Sequence, residues 1–523
     1  MKLPIFTLLM FLLTLTATAQ EQADTSDDAF DSGFGSFDSD LGMPAADQSA
    51  TEGGNDGSSV LAINGSANLD LRYQPLNGYE TESIDDLPLE NAVSGSVDLS
   101  YTGSSTEYFL GLDFDAQDIG ADGLSAVDEC YMKLFSGRFL LQLGKMKTTW
   151  GKGDTLHVLD VLNGTDYSDF INGSSEDRKI PALMIKLDTA VGDNGNLECA
   201  YLPMRVSDRI PYSGQWTPRQ ISTALSSARQ TLLWGPDGDN GLYAAAYAAI
   251  YGGLYTSAYN QAYAQAIAAG LPAGQADAAA IAAATDSSIQ DTASRMAMEQ
   301  AQDSAGGMID ALLNPDPEYK LSDAQLGVRY TDTFMALDYG AQYYWGFEKT
   351  PVLPDLSAVQ DLSSFESVTF EYPRIHIFGL DCAFALGSFN MRAETAYTLQ
   401  NDSDYSDSFS YTAGFDVSVP LHNVGLNVQS QGTYYIDDVP DRYRNRVAVQ
   451  VSDTWNYEKI KPELKCVYNI ENRDVYVRGE LTWVLSDEME LTAGYSFFEG
   501  DEDTDFGQFR DMDFLEMEFT YRF

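Results

Sequence analysis

Long apolar runs are almost missing from this chain of 523 residues. Beyond Leu15 no uninterrupted apolar stretch approaches the roughly 20 residues that a membrane helix requires, so a helical membrane protein is excluded. Basic side chains are scarce as well. The 30 Lys and Arg stand against 79 Asp and Glu, a formal charge of -49. That balance excludes nucleic acid and anionic lipid headgroups as partners, and it leaves a surface that repels anions, collects divalent cations or simply keeps exposed loops soluble. Histidine occurs three times, at His157, His376 and His422, with neither the clustering of a metal site nor the spacing of an evident triad. Gly-x-Ser-x-Gly, a Gly-rich phosphate loop and His-Glu-x-x-His are absent, so neither an enzyme nor a cofactor nor a metal is expected. Cysteine is limited to Cys130, Cys199, Cys382 and Cys466, without a Cys-x-x-Cys pair. All four fall on the strand parity that reads as lipid-facing, which predicts free, buried, small apolar residues.

What the chain does contain is glycine, 43 residues, and tyrosine, 31 residues, in a sequence of 12% aromatics. Its mean hydropathy of -0.24 would suit a soluble protein, but many tilted strands with aromatic girdles give the same composition. At the N-terminus, Lys2, the apolar run Leu3 to Leu15 and Ala17-Thr18-Ala19 read as an export signal over residues 1–19, cleaved before Gln20. Residues 20–59 are Asp, Ser, Gly, Gln and Ala with scattered Phe. Such a segment cannot bury enough apolar surface to order itself, which predicts a flexible periplasmic tail. Phe30, Phe34 and Phe37 within it offer a docking motif for another envelope protein.

From Val60 to Phe523 the pattern changes to period two. Leu61, Ile63, Ala67, Leu69, Leu71 and Tyr73 share one face, and Asn64, Ser66, Asn68, Asp70 and Arg72 share the other. The alternation recurs in about eighteen segments, centred near residues 67, 97, 112, 130, 145, 185, 199, 329, 341, 378, 393, 415, 430, 450, 465, 479, 493 and 517. One amphipathic strand fits a sandwich as well as a barrel. An even number, eighteen or sixteen, allows closure with both termini on the periplasmic side. Counting back from the end, short turns fall on one side and long connections on the other, with one short exception near Asn472. The predicted fold is therefore all-β: a transmembrane antiparallel up-and-down barrel over residues 60–523, embedded in outer-membrane lipid. Its last strand ends Phe519-Thr520-Tyr521-Arg522-Phe523, which resembles the signal by which the barrel assembly machinery recognises outer-membrane proteins.

Residues 205–320 interrupt the strand pattern. Their centre is rich in alanine, the strongest helix former, and predicts two helices parted near Gly270-Leu271-Pro272 and a third over Thr292 to Leu312. An insertion this long calls for a fold or a task of its own, either an external cap or a plug of the lumen. Tyr243, Tyr247, Tyr251, Tyr255, Tyr259 and Tyr263 recur every four residues, as a packing stripe or a ligand platform.

With the apolar parity outward, inward charges include Arg72, Arg329, Arg392, Arg446, Arg478, Asp338, Glu394 and Glu480. Charges of both signs set up a transverse field in an open pore, or brace the wall of a plugged one. The run Leu143-Gly144-Lys145-Met146-Lys147-Thr148-Thr149-Trp150-Gly151-Lys152-Gly153-Asp154, continuing to Asn163 and Tyr167, resembles a Trp-Gly-x-Gly signature of porin-like outer-membrane barrels of diderm bacteria, spirochaetes included. The resemblance implies a loop folded inward near a constriction, lined by Lys152, Asp154, His157, Asp160 and Asp166. The usual Pro after the Asn is Gly164 here, which departs from that pattern. Lys145 and Lys147 share the parity of Phe139, Leu141 and Leu143, so they sit at a polar rim unless a bulge turns them inward. Diffusion of small hydrophilic solutes or ions is the expected function, in a monomer or a homo-oligomer. A surface-exposed binding or adhesion protein using the barrel as scaffold, and a hydrophobic-solute or polysaccharide transporter, are the alternatives.

Overall fold

A computed structural model describes residues 60–73, 89–115, 126–168, 176–212, 214, 216–235, 238, 241–313, 321–352, 370–402, 405–420, 422–437 and 442–523. The signal and tail expected over residues 1–59 lie outside them. In chain order the strands are β1 (Val60–Tyr73), β2 (Leu89–Thr102), β3 (Thr106–Asp115), β4 (Val127–Ser136), β5 (Phe139–Met146), β6 (Gly164–Thr165), β7 (Lys179–Ile180), β8 (Ala182–Val191), β9 (Gly195–Leu202) and β10 (Gln325–Phe334). They continue with β11 (Leu337–Phe347), β12 (Arg374–Leu386), β13 (Phe389–Gln400), β14 (Ser408–Ser418), β15 (Gly425–Tyr435), β16 (Tyr443–Ser452), β17 (Ile460–Asn469), β18 (Asp474–Ser486), β19 (Met489–Glu499) and β20 (Phe514–Arg522).

All but β6 and β7 join one 18-stranded antiparallel sheet in which each strand pairs with its sequence neighbour. β20 pairs with β1, Leu515 opposite Tyr73 and Arg522 opposite Ser66, which closes the barrel. At that seam Gly65 and Phe523 exchange backbone hydrogen bonds of 2.9 and 3.0 Å. A Cβ on Gly65 would stand 2.4 Å from the Phe523 ring, so glycine is what lets the terminal aromatic lie over β1. Each of the eighteen segment centres expected from alternation falls in a barrel strand, because period two is the signature of a wall with one apolar and one wet face.

The outward face carries large apolar side chains with nothing over them, among them Leu61, Ile63, Ile185, Phe378, Leu380 and Trp483. So broad an apolar exterior is a lipid-facing surface. The cysteines are free, as expected, but not buried: Cys130 is exposed and the other three are half-buried. Their outward parity points them at lipid rather than at protein.

The insertion forms four helices, α1 (Arg219–Trp234), α2 (Leu242–Ala268), α3 (Ala273–Ala284) and α4 (Ser287–Leu313). The break near Gly270 is where the sequence places it; α1 is additional, and α4 begins five residues before Thr292. Ala276, Ala280 and Ala284 on α3 and Ala293, Ala297, Ala301 and Ala305 on α4 are fully or almost fully buried. These four-residue stripes of small side chains let the helices pack closely on one another rather than on the barrel strands. The six tyrosines of α2 follow one another along it with ring centroids 5.6–6.4 Å apart, stacked except for the tilted pair Tyr251 and Tyr255.

Candidate functional site: a loop pinned inside the barrel

The connection from β5 to β8 turns into the lumen instead of rising away from it. Asn163 ties its two feet together: Nδ2 donates to the carbonyls of Met146 at 3.0 Å and Ile180 at 2.9 Å, and Oδ1 accepts from Thr148 N–H at 2.9 Å. Trp150, Leu159 and Leu162 are fully buried against Met184, Tyr344, Ile375, Ile377 and Ala396. These belong to the inner faces of β8, β11, β12 and β13, so the loop and the wall share a small hydrophobic core inside a wet barrel. The Trp150 indole N–H donates to Glu198 on β9.

The central fastening is Glu394 on β13, 1% exposed. Its Oε1 accepts the backbone N–H of Lys152 at 2.6 Å and that of Gly153, while Oε2 accepts Val158 at 2.8 Å and Leu159 at 3.3 Å. Gly151 and Gly153 make this approach possible. A Cβ on Gly151, whose φ is +101°, would fall 2.2 Å from Glu394 Oε1, and one on Gly153 would fall 2.4 Å from the Leu156 carbonyl. The Gly-x-Gly spacing therefore wraps backbone donors around a carboxylate. Further along the wall, Gln342 Nε2 donates to Leu159 O at 2.8 Å and Gln431 Nε2 to His157 O at 2.7 Å. Gln429 Oε1 accepts from Thr155 and Leu156 at 3.1 and 2.8 Å. The loop thus lies against the inner face from β9 to β15.

Of the residues expected at the constriction, Lys152, Asp154, His157, Asp160 and Asp166 lie on this loop, and Arg392 and Glu394 lie on the wall beside it. Asp154 accepts from Asn427 and stands 3.5 Å from Arg392, which also approaches Asp416 at 3.4 Å. Asp160 pairs with Lys179 at 2.8 Å, and Asp166 with Arg209 at 2.6 Å. Burial raises the Asp160 pKa even though Lys179 works against it. Arg446 projects from β16, exposed and, among the described residues, with no carboxylate at ion-pair distance. The remainder stand apart from the loop. Arg329 is buried against Asp381 at 3.2 Å, and Asp338 accepts the Thr333 hydroxyl at the short-turn end of β11. Arg72, Arg478 and Glu480 belong to a network around Glu516. An inventory of inward charges passes over Gln342, Asn427, Gln429 and Gln431, which share the inward parity but carry no charge to mark them.

Lys147 shows where simple alternation breaks. The β3–β4 register shifts between Leu110 and Leu112, a bulge that sets Asp128 and Glu129 together opposite Gly111. Lys147 Nζ reaches Asp128 at 2.8 Å and its N–H donates to Glu129 at 2.6 Å, so it joins the inner acids. Lys145 keeps its formal outward register opposite Cys130 and Leu183 and donates to the Val127 carbonyl.

His157 Nε2 lies 3.0 Å from the Asp154 carbonyl and Nδ1 lies 3.7 Å from Glu394 Oε1. Burial lowers its pKa, but the neighbouring carboxylate outweighs burial and the net shift is upward. The protonated form therefore adds to loop anchoring below about 6.5, the free value, and that contribution is lost as pH rises through the raised one. Channel noise in planar bilayers is expected to increase over that interval, and His157→Gln is expected to abolish the dependence.

Residues 100–420 match the family described as "Protein of unknown function (DUF1302)". The chain belongs to the DUF1302 family. The matched stretch of this DUF1302 protein contains the pinned loop, the helical insertion and Glu394. No curated protein matches the chain. Among solved structures it is similar to OpdQ of Pseudomonas aeruginosa, at 8% identity over 89% of this chain and 98% of that one, with a TM-score of 0.42. It is similar also to OpdK of the same species, at 9% identity over 88% and 99% with a TM-score of 0.42. OmpT of Vibrio cholerae matches at 10% identity over 89% and 100%, with a TM-score of 0.34. Nothing about what passes through the DUF1302 barrel follows from likenesses at that level.

Proposed function

We propose that the protein is a porin-like channel of a bacterial outer membrane, through which small hydrophilic solutes or ions diffuse past a constriction built by the 147–181 loop. The observation that carries this is the loop itself, fastened through Glu394 and three glutamines to the lumen side of a closed wall. A plain scaffold needs no such internal fitting. The same Trp-Gly-x-Gly loop supports the porin-like resemblance. The export signal, an assembly signal at Phe523 and a homo-oligomeric state are parts of the same proposal.

The lumen has two electrostatic sides. Asp98, Asp113, Asp128 and Glu129 gather on β2–β4 around Lys147. Roughly opposite, on β16, Arg444 and Arg446 are exposed and have no carboxylate at ion-pair distance among the described residues, Arg444 resting on the Tyr435 ring at 5.6 Å. A transverse field of this kind orders water and sets ion preference. In planar bilayers the refolded protein is expected to conduct, and Arg444→Glu with Arg446→Glu is expected to shift its reversal potential toward cations in a salt gradient. Silence from a properly folded barrel would count against the channel. The helices, packed on one another rather than on the wall, favour a second reading, a surface-exposed binding protein, and that silence would promote it.

A further inference from the structure

Phe347, the last residue of β11, is the one ring among the described residues that two cations share. It lies on the outer side of the wall. Tyr344 of the same strand is buried inside, so Trp345, opposite Leu326 and His376, and Phe347, opposite Arg374, point the other way. Arg374 opens β12, next to Ile375 of the inner core. Its Cζ stands 4.0 Å from the Phe347 centroid and 4.2 Å from that of Trp345, and its N–H groups donate to the carbonyls of Ala324, at 3.2 Å, and Ser322. Arg205 comes from beyond β9, with Cζ 3.9 Å from the Tyr372 centroid and 5.9 Å from that of Phe347. Val206 packs on the inner core, which leaves Arg205 outside and exposed.

Among the described residues neither guanidinium has a carboxylate at ion-pair distance; their partners are rings and carbonyls. Aromatic faces attract a cation without neutralising it. Arg374 keeps N–H donors beyond the two that meet carbonyls, and Arg205 keeps its planar fork, the geometry that grips phosphate oxygens in pairs. Distances of 5.9 and 4.0 Å to one centroid hold the two Cζ atoms no more than 9.9 Å apart, within the span of a single headgroup. The pair also sits at the end of β9–β12 from which residues 205–320 and 348–373 depart, amid the aromatic residues that mark the headgroup level of a barrel wall. From there the same outward face continues as exposed Leu326, Phe378 and Leu380. A free anion gains nothing from that apolar strip, whereas the acyl chains of a lipid do.

We propose that Arg205 and Arg374, spaced by Phe347, bind the phosphate of an anionic membrane lipid whose acyl chains lie along Leu326, Phe378 and Leu380. A formal charge of -49 turns such headgroups away from the surface at large; this corner of the rim is the exception. A lipid held there joins the chain leaving β9 to the start of β12 and steadies the strand ends on either side of the helical insertion. Such a site needs only a wall that faces lipid, so it stands or falls apart from conduction.

The test is native mass spectrometry of the refolded full chain in non-ionic detergent, titrated with phosphatidylglycerol or with phosphatidylcholine of the same acyl chains, foldedness being scored by heat-modifiable migration. The parent should hold phosphatidylglycerol at least about tenfold more tightly than phosphatidylcholine, whose choline offsets the phosphate charge. Arg205→Gln and Arg374→Gln should each weaken it about fivefold, the contribution of one cation at a headgroup. Arg205 is exposed, so its variant carries the test if Arg374→Gln, packed between two rings, fails to fold. Arg444→Gln, which removes the same charge from the lumen side, should bind as the parent does. Equal retention of the two lipids, an Arg205→Gln protein that binds like the parent, or an Arg444→Gln protein weakened as much as Arg205→Gln overturns the site. Displacement of phosphatidylglycerol by an equal concentration of inorganic phosphate overturns the lipid as its occupant.

Discussion

Glu394→Ala raises single-channel conductance about twofold or more, because it removes the acceptor around which the tip of the constriction loop is wound. Four backbone N–H groups converge on this carboxylate, and hydrogen bonds to a charged group contribute about 1.5–3 kcal/mol each, short of additivity. Even half their sum, roughly 3–6 kcal/mol, exceeds the ~2.7 kcal/mol that separates a loop seated 99% of the time from one seated half the time. Alanine leaves those donors inside the barrel with only water to meet them. The feet of the loop should hold, since Asn163, Trp150 and Leu162 are fastened independently; the expected result is a wider and noisier pore in a barrel that still folds. Glu394→Gln should fall between, as its amide keeps one acceptor and turns two donors toward N–H groups. Limited proteolysis from the external side should cut between Gly151 and Leu159 faster in the alanine variant than in the parent.

Glu516→Ala is the substitution expected to cost the barrel most. Glu516 on the closing strand β20 accepts Arg72 Nε across the seam on β1 at 2.7 Å and, past β19, Arg478 on β18. All three side chains are under a tenth exposed. Removing the carboxylate leaves two guanidiniums facing each other out of water, with Asp70 3.3 Å from one and Glu480 2.7 Å from the other as partial relief. Breaking one member of a buried charge network typically costs about 3–5 kcal/mol, several times the roughly 0.2–1 kcal/mol of an exposed pair. The check is the urea midpoint of unfolding followed by heat-modifiable migration, with Arg522→Ala at the C-terminal end of β20, a 56% exposed side chain paired with Glu490, as the control expected to move little.

Much of the wall was legible in the sequence because a barrel strand must alternate at every residue to present lipid on one side and water on the other. Leu61 to Tyr73 and Met489 to Phe497 carry that pattern in full. The Ala-rich helices were legible for a similar reason, since composition alone marks α2, α3 and α4. α1 was not: Ser222, Thr223, Ser226, Ser227 and Thr231 dilute its helical signal, and the helix gains its stability from Ala228, Leu232 and Leu233 packing on Ala301, Ala305 and Ile309 of α4. Parity failed at Lys147 because it follows Met146, the last residue of β5, and the bulge beside Gly111 in the neighbouring β3–β4 pair sets Asp128 and Glu129 within its reach.

The candidate site was legible as a list of inward charges and a Trp-Gly-x-Gly loop, not as a mechanism. Glu394 is one inward acid among many in the sequence; what distinguishes it is a loop that arrives from more than two hundred residues away. The glutamines at 342, 429 and 431 carry no charge and no local pattern, yet each supplies a fastening.

Whether the loop is the constriction of a conducting pore is decided most directly by single-channel conductance of the refolded protein beside its Glu394→Ala variant, in one planar bilayer and at one salt concentration. A steady conductance in the parent that rises in the variant is the predicted result. Two folded proteins of equal conductance, or two that are silent, would contradict it.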